Sequence, residues 1–395
     1  SRTMSTGIQA TLRIPAPSLW RRRARRESGG AGMALRISAC VAAAVLTSAT
    51  AMRLPGPAPH AVGLPHEESL LQESDAAGLP SPLLLLTLRS AASCKAAAYH
   101  EARSSPRENC DTGCDCGEDA FFMAAPTPST VAIGVADGVG GWRKSGADPG
   151  EFAWGLMSAC RNAVEDPQQG GRQPWVLRMF RRLSQRGAGE DPVELLASAY
   201  WSLQEDRSAP LPGGSTACVA SLNRSTGVLR IANLGDSGAI IIRGARVILA
   251  SRPQQHRFNH PYQLSIGFDG VGGPISPERA ERYTARVQDG DLVILMTDGV
   301  LDNLEQRSLS RVAALLRGAE PQQIADAIVD IAHTLSQSRV DSPFSLAARA
   351  AGFRYPRQGK EDDITVVVAR VESTPPVGLH GSEPARGNPA KRNPR

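Results

Sequence analysis

The residues best suited to chemistry are aspartates placed where strands should end. Asp119 stands in GEDAFF, ahead of a short apolar run, and Asp137 follows VAIGVA and opens DGVGG. Asp236 sits in GDSG between two apolar runs, and Asp298 follows LVILMT and opens DGVLDN, with Asp302 four residues on. Asp362 and Asp363 precede ITVVVARV. A strand fixes its terminal residue in a rigid sheet, so several strands ending at one rim can aim carboxylates at a common centre. Hard oxygen donors of this kind select Mg²⁺ or Mn²⁺. These acids have no His or Cys beside them, which argues against zinc. Two such cations close together can bridge a water, lower its pKa and clamp a phosphoryl group. Gly138 lets the backbone approach closely, so its carbonyl could join the metal shell. Singly each motif is weak, since DG is a common turn dipeptide and GDSG also reads as a hairpin turn. The reading rests on the ordered set ED, DGxxG, GST, GDS, TDGxxDN and DDIT, each beside a strand.

The elements that would position these acids can be read from pattern. Apolar runs over 131–136, 217–222, 228–233, 239–243, 292–297 and 364–371 read as strands, with a tight turn at Gly235-Asp236-Ser237-Gly238. Apolar residues at three- and four-residue spacing predict a helix over 151–164. Asp191 caps a second with Pro192 in its first turn, running to about 206. Further helices are expected over 308–317, from Pro321 to about 338, and from Pro343 to Gly352. Hairpin-like strands with helices between them imply an α+β domain of antiparallel sheets covered by helices.

The chain has 395 residues, of which 41% are hydrophobic and 21% charged, with a net charge of +5. The positive excess is concentrated in Arg21, Arg22, Arg23, Arg25 and Arg26, and Glu27 is the only acid before Glu67. The basic balance therefore marks a leader rather than a nucleic-acid surface, and no nucleic-acid partner is expected. Residues 1–66 have the Arg-, Ser- and Ala-rich composition of a transit peptide. A second reading starts at Met33, with an apolar run over 37–47 and Ala49-Thr50-Ala51 as a cleavage site, as in a secretory or two-part plastid signal. That run is too short to span a bilayer, so no stable membrane insertion is expected. Residues 1–92 are assigned to leader and flexible spacer, 93–371 to the packed domain and 372–395 to a disordered tail. A loop is expected within 168–189. The seven cysteines do not make a disulfide scaffold, and the odd count argues against complete internal pairing. Cys110, Cys114 and Cys116 in CDTGCDC read either as a metal or redox cluster or as a solvated loop. The loop reading is preferred, because no second ligand pair accompanies them.

The ordered motifs resemble the PPM family, the type 2C metal-dependent protein phosphatases, over residues 118–371. Within it, VADGVGGWRKSGADPGEF, GSTACVASL, ANLGDSGAIIIRG, QQHRFNHPYQLS and the closing SPF…DDIT are most similar to the mitochondrial branch. The resemblance implies two antiparallel sheets sandwiched between helix layers. It also implies a protein serine/threonine phosphatase acting on phosphoproteins, with two Mn²⁺ or Mg²⁺ ions per site. Asp137 matches the aspartate bridging both ions, and Gly138 the glycine whose carbonyl binds one. Asp119, Asp298 and Asp362 match the remaining carboxylates. Asp236 and Asp302 match positions that hold a weaker third ion in some members, and Glu118 matches a supporting acid. A monomer in the mitochondrion is expected, with the plastid or a secretory route as the alternative.

Two departures bear on mechanism. Members reading DGHGG carry a His proposed as general acid, where this chain has Val139. The Arg that grips substrate phosphate just ahead of the first acidic motif is replaced here by CDTGCDC, with Arg103 and Arg107 further upstream. The segment QQHRFNHPYQLS, with His256, Asn259 and His260, reads either as a flap shaping substrate choice or as a loop held by its own hydrogen bonds. Trp142 and Arg143 read as packing and surface residues bordering the cleft. Two rivals stand beside the enzyme reading: a pseudophosphatase that only binds a partner, and a redox or metal sensor built on the cysteines.

Overall fold

The computed structural model describes residues 84–98, 115–165, 189–205, 211–267 and 275–374. The Arg-rich leader, the Met33 segment, Arg103, Arg107, Cys110, Cys114 and almost all of the 168–189 loop lie outside the described residues.

In chain order the elements are β1 (Leu85–Lys95), β2 (Asp119–Met123), β3 (Thr130–Asp137), a 3₁₀ turn (Gly140–Ser145), α1 (Pro149–Glu165) and α2 (Pro192–Glu205). Next come β4 (Gly213–Ser215), β5 (Ala217–Asn223), β6 (Val228–Leu234), β7 (Gly238–Arg243), β8 (Arg246–Ala250), β9 (Gln255–Arg257), β10 (His260–Pro261), β11 (Leu264–Ile266) and β12 (Glu281–Arg286). The last are β13 (Leu292–Met296), α3 (Asp298–Leu301), α4 (Gln306–Leu315), α5 (Pro321–Ser336), α6 (Pro343–Ala350) and β14 (Ile364–Thr374).

Two five-stranded sheets result, ordered β1-β14-β13-β7-β8 and β12-β6-β5-β3-β2. Every pairing within them is antiparallel. The inner faces meet where β13 and β14 pack on β3, while α1 covers β2 and β3, and α5 covers β1 and β14. This is the expected α+β sandwich with helices outside. Strands covered on both faces are continuously apolar, as in LVILM of β13, which is buried throughout. The edge strand β12 instead alternates exposed and half-buried residues.

Local chemistry sets the helix starts. Asp191 Oδ1 accepts from Val193 N at 2.9 Å, which caps α2. Ser342 and Ser345 exchange hydrogen bonds at the start of α6, with Pro343 in the first turn.

The expected domain boundaries need correction at both ends. Residues 85–92 belong not to the expected spacer but to β1, which pairs with β14 in register from Leu85↔Thr374 to Lys95↔Ile364. Leu88 and Ala92 of this strand are buried. Its run of Ser and Ala has low strand propensity, so ladder pairing rather than composition makes it a strand. The domain correspondingly runs to Thr374, three residues beyond the expected 371.

Candidate metal centre

The β2–β3 register sets Asp119 directly across from Asp137. The GST segment fixes the Asp137 backbone. Asp137 N donates to Thr216 Oγ1 at 3.0 Å, Thr216 N donates to Asp137 O at 2.9 Å, and Ser215 Oγ donates to the same carbonyl at 2.8 Å. Thr216 Oγ1 also lies 2.7 Å from Ser237 Oγ, tying this strand end to the turn that carries Asp236. Thr297 does the same between the sheets. Its hydroxyl donates to Asp119 Oδ2 at 2.8 Å and accepts from Thr365 N at 3.0 Å. A Cβ on Gly138 would lie 2.5 Å from Pro149 O, and one on Gly299 would lie 2.0 Å from Asp363 O, so both positions need the backbone bare.

These constraints bring five of the expected carboxylates together. Oxygens of Asp137, Asp236 and Asp298 lie within 4.8 Å of one another, as do those of Asp298, Asp302 and Asp362. Asp298 is common to both groups. Asp119 is fully buried beside them but belongs to neither group. Asp363, next to Asp362, has a bracing role: its oxygens accept from Ala97 N at 2.7 Å and Glu118 N at 2.8 Å.

The site carries an excess of negative charge. Burial, then the Asp298 charge, pushes the Asp137 carboxyl well up from its ordinary value. Burial, then Asp363, does the same to Asp119. Asp236 is pushed up to about 7 by burial and by Asp298. Burial and then Asp298 raise Asp362. Burial raises Asp302, with Lys360 opposing. Asp119 Oδ1 and Asp236 Oδ1 are buried without a hydrogen-bond partner. Such oxygens are costly to bury unless a cation meets them. The donor set is all oxygen, the sites adjoin through a shared carboxylate, and orphaned oxygens remain. On these grounds the residues fit hard divalent cations.

Lys360 was not anticipated from sequence. Its Nζ lies 2.7 Å from Asp298 Oδ2, 2.6 Å from Asp302 Oδ2 and 2.9 Å from Asp362 Oδ2. Burial opposes its charge, but the three carboxylates outweigh that and hold the ammonium above its ordinary range. Asn303 was likewise missed. It accepts from Lys360 N at 3.0 Å and donates to Lys360 O at 2.8 Å. The one available signal was the position of Lys360, two residues before Asp362.

Beside the acids opens a cleft of about 760 Å³, lined by Asp236, Asp298, Asp302, Phe258, Arg307 and Phe344 among others. Gln255, Phe258 and Asn259 of the QQHRFNHPYQLS segment line one side of it. Both readings of this segment find support. β9 and β10 close on a turn at Asn259 (φ 56°), and His260 Nδ1 lies 3.1 Å from Phe258 O. Gln255 Nε2 meanwhile donates to Asp236 Oδ2 at 2.8 Å. His256 packs on the Tyr262 ring, with centroids 4.5 Å apart. Val139 is half-buried at the rim. Trp142 is buried, its Nε1 donating to Gln263 at 2.9 Å, and Arg143 pairs with Glu118 at 2.6 Å.

The loop reading of Cys116 is corrected. Cys116 is buried and disulfide-bonded to Cys94, which joins the end of β1 to the approach to β2. Sequence could not assign that pairing, because it depends on β1 lying against β14.

Comparison with known proteins agrees with this geometry. A family model described as Stage II sporulation protein E (SpoIIE) matches residues 175–372. The chain is 41% identical over 265 residues to "Protein phosphatase PTC7 homolog fig" of Drosophila virilis, covering 65% of this chain and 78% of that protein. It is 37% identical over 262 residues to "Protein phosphatase PTC7 homolog" of Homo sapiens, covering 65% and 79%. Among solved structures it is similar to the photosystem II phosphatase PBCP, with a TM-score of 0.55 and 27% identity over 72% of this chain and 99% of that one. With the acidic motifs of both sheets gathered in one cage, these relationships establish that the chain belongs to the PPM family of metal-dependent protein phosphatases, and within it to the PTC7 type.

Proposed function

We propose that the chain hydrolyses phosphoserine and phosphothreonine in proteins by in-line attack of water, with no phosphoenzyme. The observation that carries this is the pair of carboxylate groups joined through Asp298. Two Mn²⁺ or Mg²⁺ ions bound there would supply an acidified water as nucleophile and offset charge on the phosphoryl group. Asp137 and Asp298, with Asp119, Asp362 and the Gly138 carbonyl, are the residues assigned to hold them, and Asp236 and Asp302 would hold a weaker third. Thr216 and Thr297 orient this set by fixing the Asp137 backbone and the Asp119 carboxylate. Val139 offers no proton, so the departing serine or threonine oxygen takes one from solvent water. Arg143, paired with Glu118, and Arg307, in the cleft wall, are the side chains we assign to meet an incoming phosphate.

The protein is proposed to act as a monomer. Among the described residues no helix is long and apolar enough to cross a membrane. The Arg-rich leader supports a mitochondrial destination. The Cys94–Cys116 disulfide supports an oxidising compartment, which favours the secretory-type alternative for the Met33 segment or an oxidising space within an organelle.

The test is turnover of a phosphoserine peptide by the full chain, with Mn²⁺ and after chelation. Mn²⁺-dependent phosphate release is expected. A chain that binds Mn²⁺ yet releases no phosphate from any phosphopeptide would instead be the pseudophosphatase.

A further inference from the structure

The proposed metal centre leaves one cation of the chain itself unexplained. Lys360 reaches into the carboxylate cage with most of its side chain covered, and its Nζ contacts one oxygen each of Asp298, Asp302 and Asp362 at 2.6 to 2.9 Å. Among the described residues, these three carboxylates form one of two oxygen groups compact enough for a metal ion. The ammonium therefore has the same donors that a divalent ion would use there.

Its position is fixed by the fold. Asn303 grips the Lys360 backbone on both its N–H and its carbonyl, and is itself tied to Gly299 O at 2.9 Å. Gly359 packs so tightly on the end of α5 that a Cβ would lie 2.2 Å from Leu335 O. The Phe344 ring stands 5.0 Å from Nζ on the cleft side, within cation–π range. A lysine held in this way is present at effectively constant local concentration, unlike a free ion.

We propose that Lys360 is a tethered cation of the metal centre: it occupies the Asp298–Asp302–Asp362 group, and a divalent ion enters that group only by displacing it. Metal binding there is then a competition between an intramolecular monovalent cation and a divalent one from solution. If the ammonium holds the group about nine-tenths of the time, the apparent affinity of that site falls about tenfold. In the Asp137–Asp236–Asp298 group the ammonium meets only the shared Asp298, so an ion there competes with it at one carboxylate rather than three.

The inference rests on the metal-centre reading but not on turnover. Its test is calorimetric titration of the metal-stripped full chain with Mn²⁺, comparing wild type with Lys360→Met and Lys360→Arg. Lys360→Met is expected to bind one additional Mn²⁺ per chain, or to tighten its weakest site about tenfold. Lys360→Arg, which keeps the charge, is expected to follow the wild type. Metal-free Lys360→Met should also melt lower than wild type and gain more from added Mn²⁺. If Lys360→Met does not fold without metal, Mn²⁺ is expected to fold it, and failure to do so would overturn the proposal. Matching or weaker Mn²⁺ binding by Lys360→Met would also overturn it. A chain that is inactive yet shows the expected isotherms would refute the phosphatase reading alone.

Discussion

At the scale of single residues, the two halves of the carboxylate cage should respond differently to substitution. Asp137 stands at the junction of β3 with the GST segment and in the group that Lys360 meets only through the shared Asp298. Asp137→Asn should lower phosphopeptide turnover at least ~10³-fold, about 4 kcal/mol of barrier. Asp302→Asn, at the lysine-held group, should leave the first ions bound and cost far less. Equal losses of rate and metal would refute that division. Val139→His should change turnover of a phosphoserine peptide by less than about tenfold, well short of the ~10²–10⁴ a required general acid supplies. An inactive wild type rescued by His would show that the missing acid matters. The six assigned aspartates were legible from sequence because each follows or precedes an apolar run whose end fixes it. Lys360 and Asn303 were not, since a lysine among acids reads as surface and only the folded return of 359–363 onto α3 closes the clamp.

The elements show where pattern suffices and where pairing decides. The buried strands β3, β5, β6, β7, β13 and β14 were all visible as apolar runs, because both their faces are covered. β1 was not, since its Ser- and Ala-rich run acquires its structure only by lying along β14. The short strands of the QQHRFNHPYQLS segment escaped for a related reason: two- and three-residue strands leave no period to read. The Cys94–Cys116 bond closes 22 residues between β1 and the Glu118–Asp119 approach. Its reduction should cost ~3 kcal/mol, read as a lower melting temperature in dithiothreitol that Cys94→Ser reproduces without reductant. A melting curve indifferent to reductant would contradict this. Gly299→Ala would drive a methyl into the Asp363 carbonyl, and should destabilise the chain by ~1–3 kcal/mol in denaturant titration.

For the whole molecule, the concentration of buried acid makes stability depend on pH and metal together. An aspartate whose folded pKa is raised takes up protons on folding, so it favours the folded state less as pH rises. For Asp236 the window runs from the ordinary 3.8 to about 7. The metal-free chain should therefore lose stability from pH 4 towards pH 7, and saturating Mn²⁺ should reverse the loss, because ligation takes the deprotonated form. Thermal melts across that range, with and without Mn²⁺, check the sign. The destination of the protein belongs to this scale too. Since β1 begins at Leu85, residues 1–84 fused to a fluorescent protein should be imported and shortened, whereas a full-length cytosolic fusion would contradict a targeting leader. The central claim is that the carboxylate cage makes this chain a metal-dependent phosphatase. Its most direct test measures bound Mn²⁺ and phosphoserine-peptide turnover on the same metal-stripped preparation during stepwise reconstitution. Turnover should be absent without metal and rise as Mn²⁺ fills the site. Full turnover before any ion is bound would contradict it.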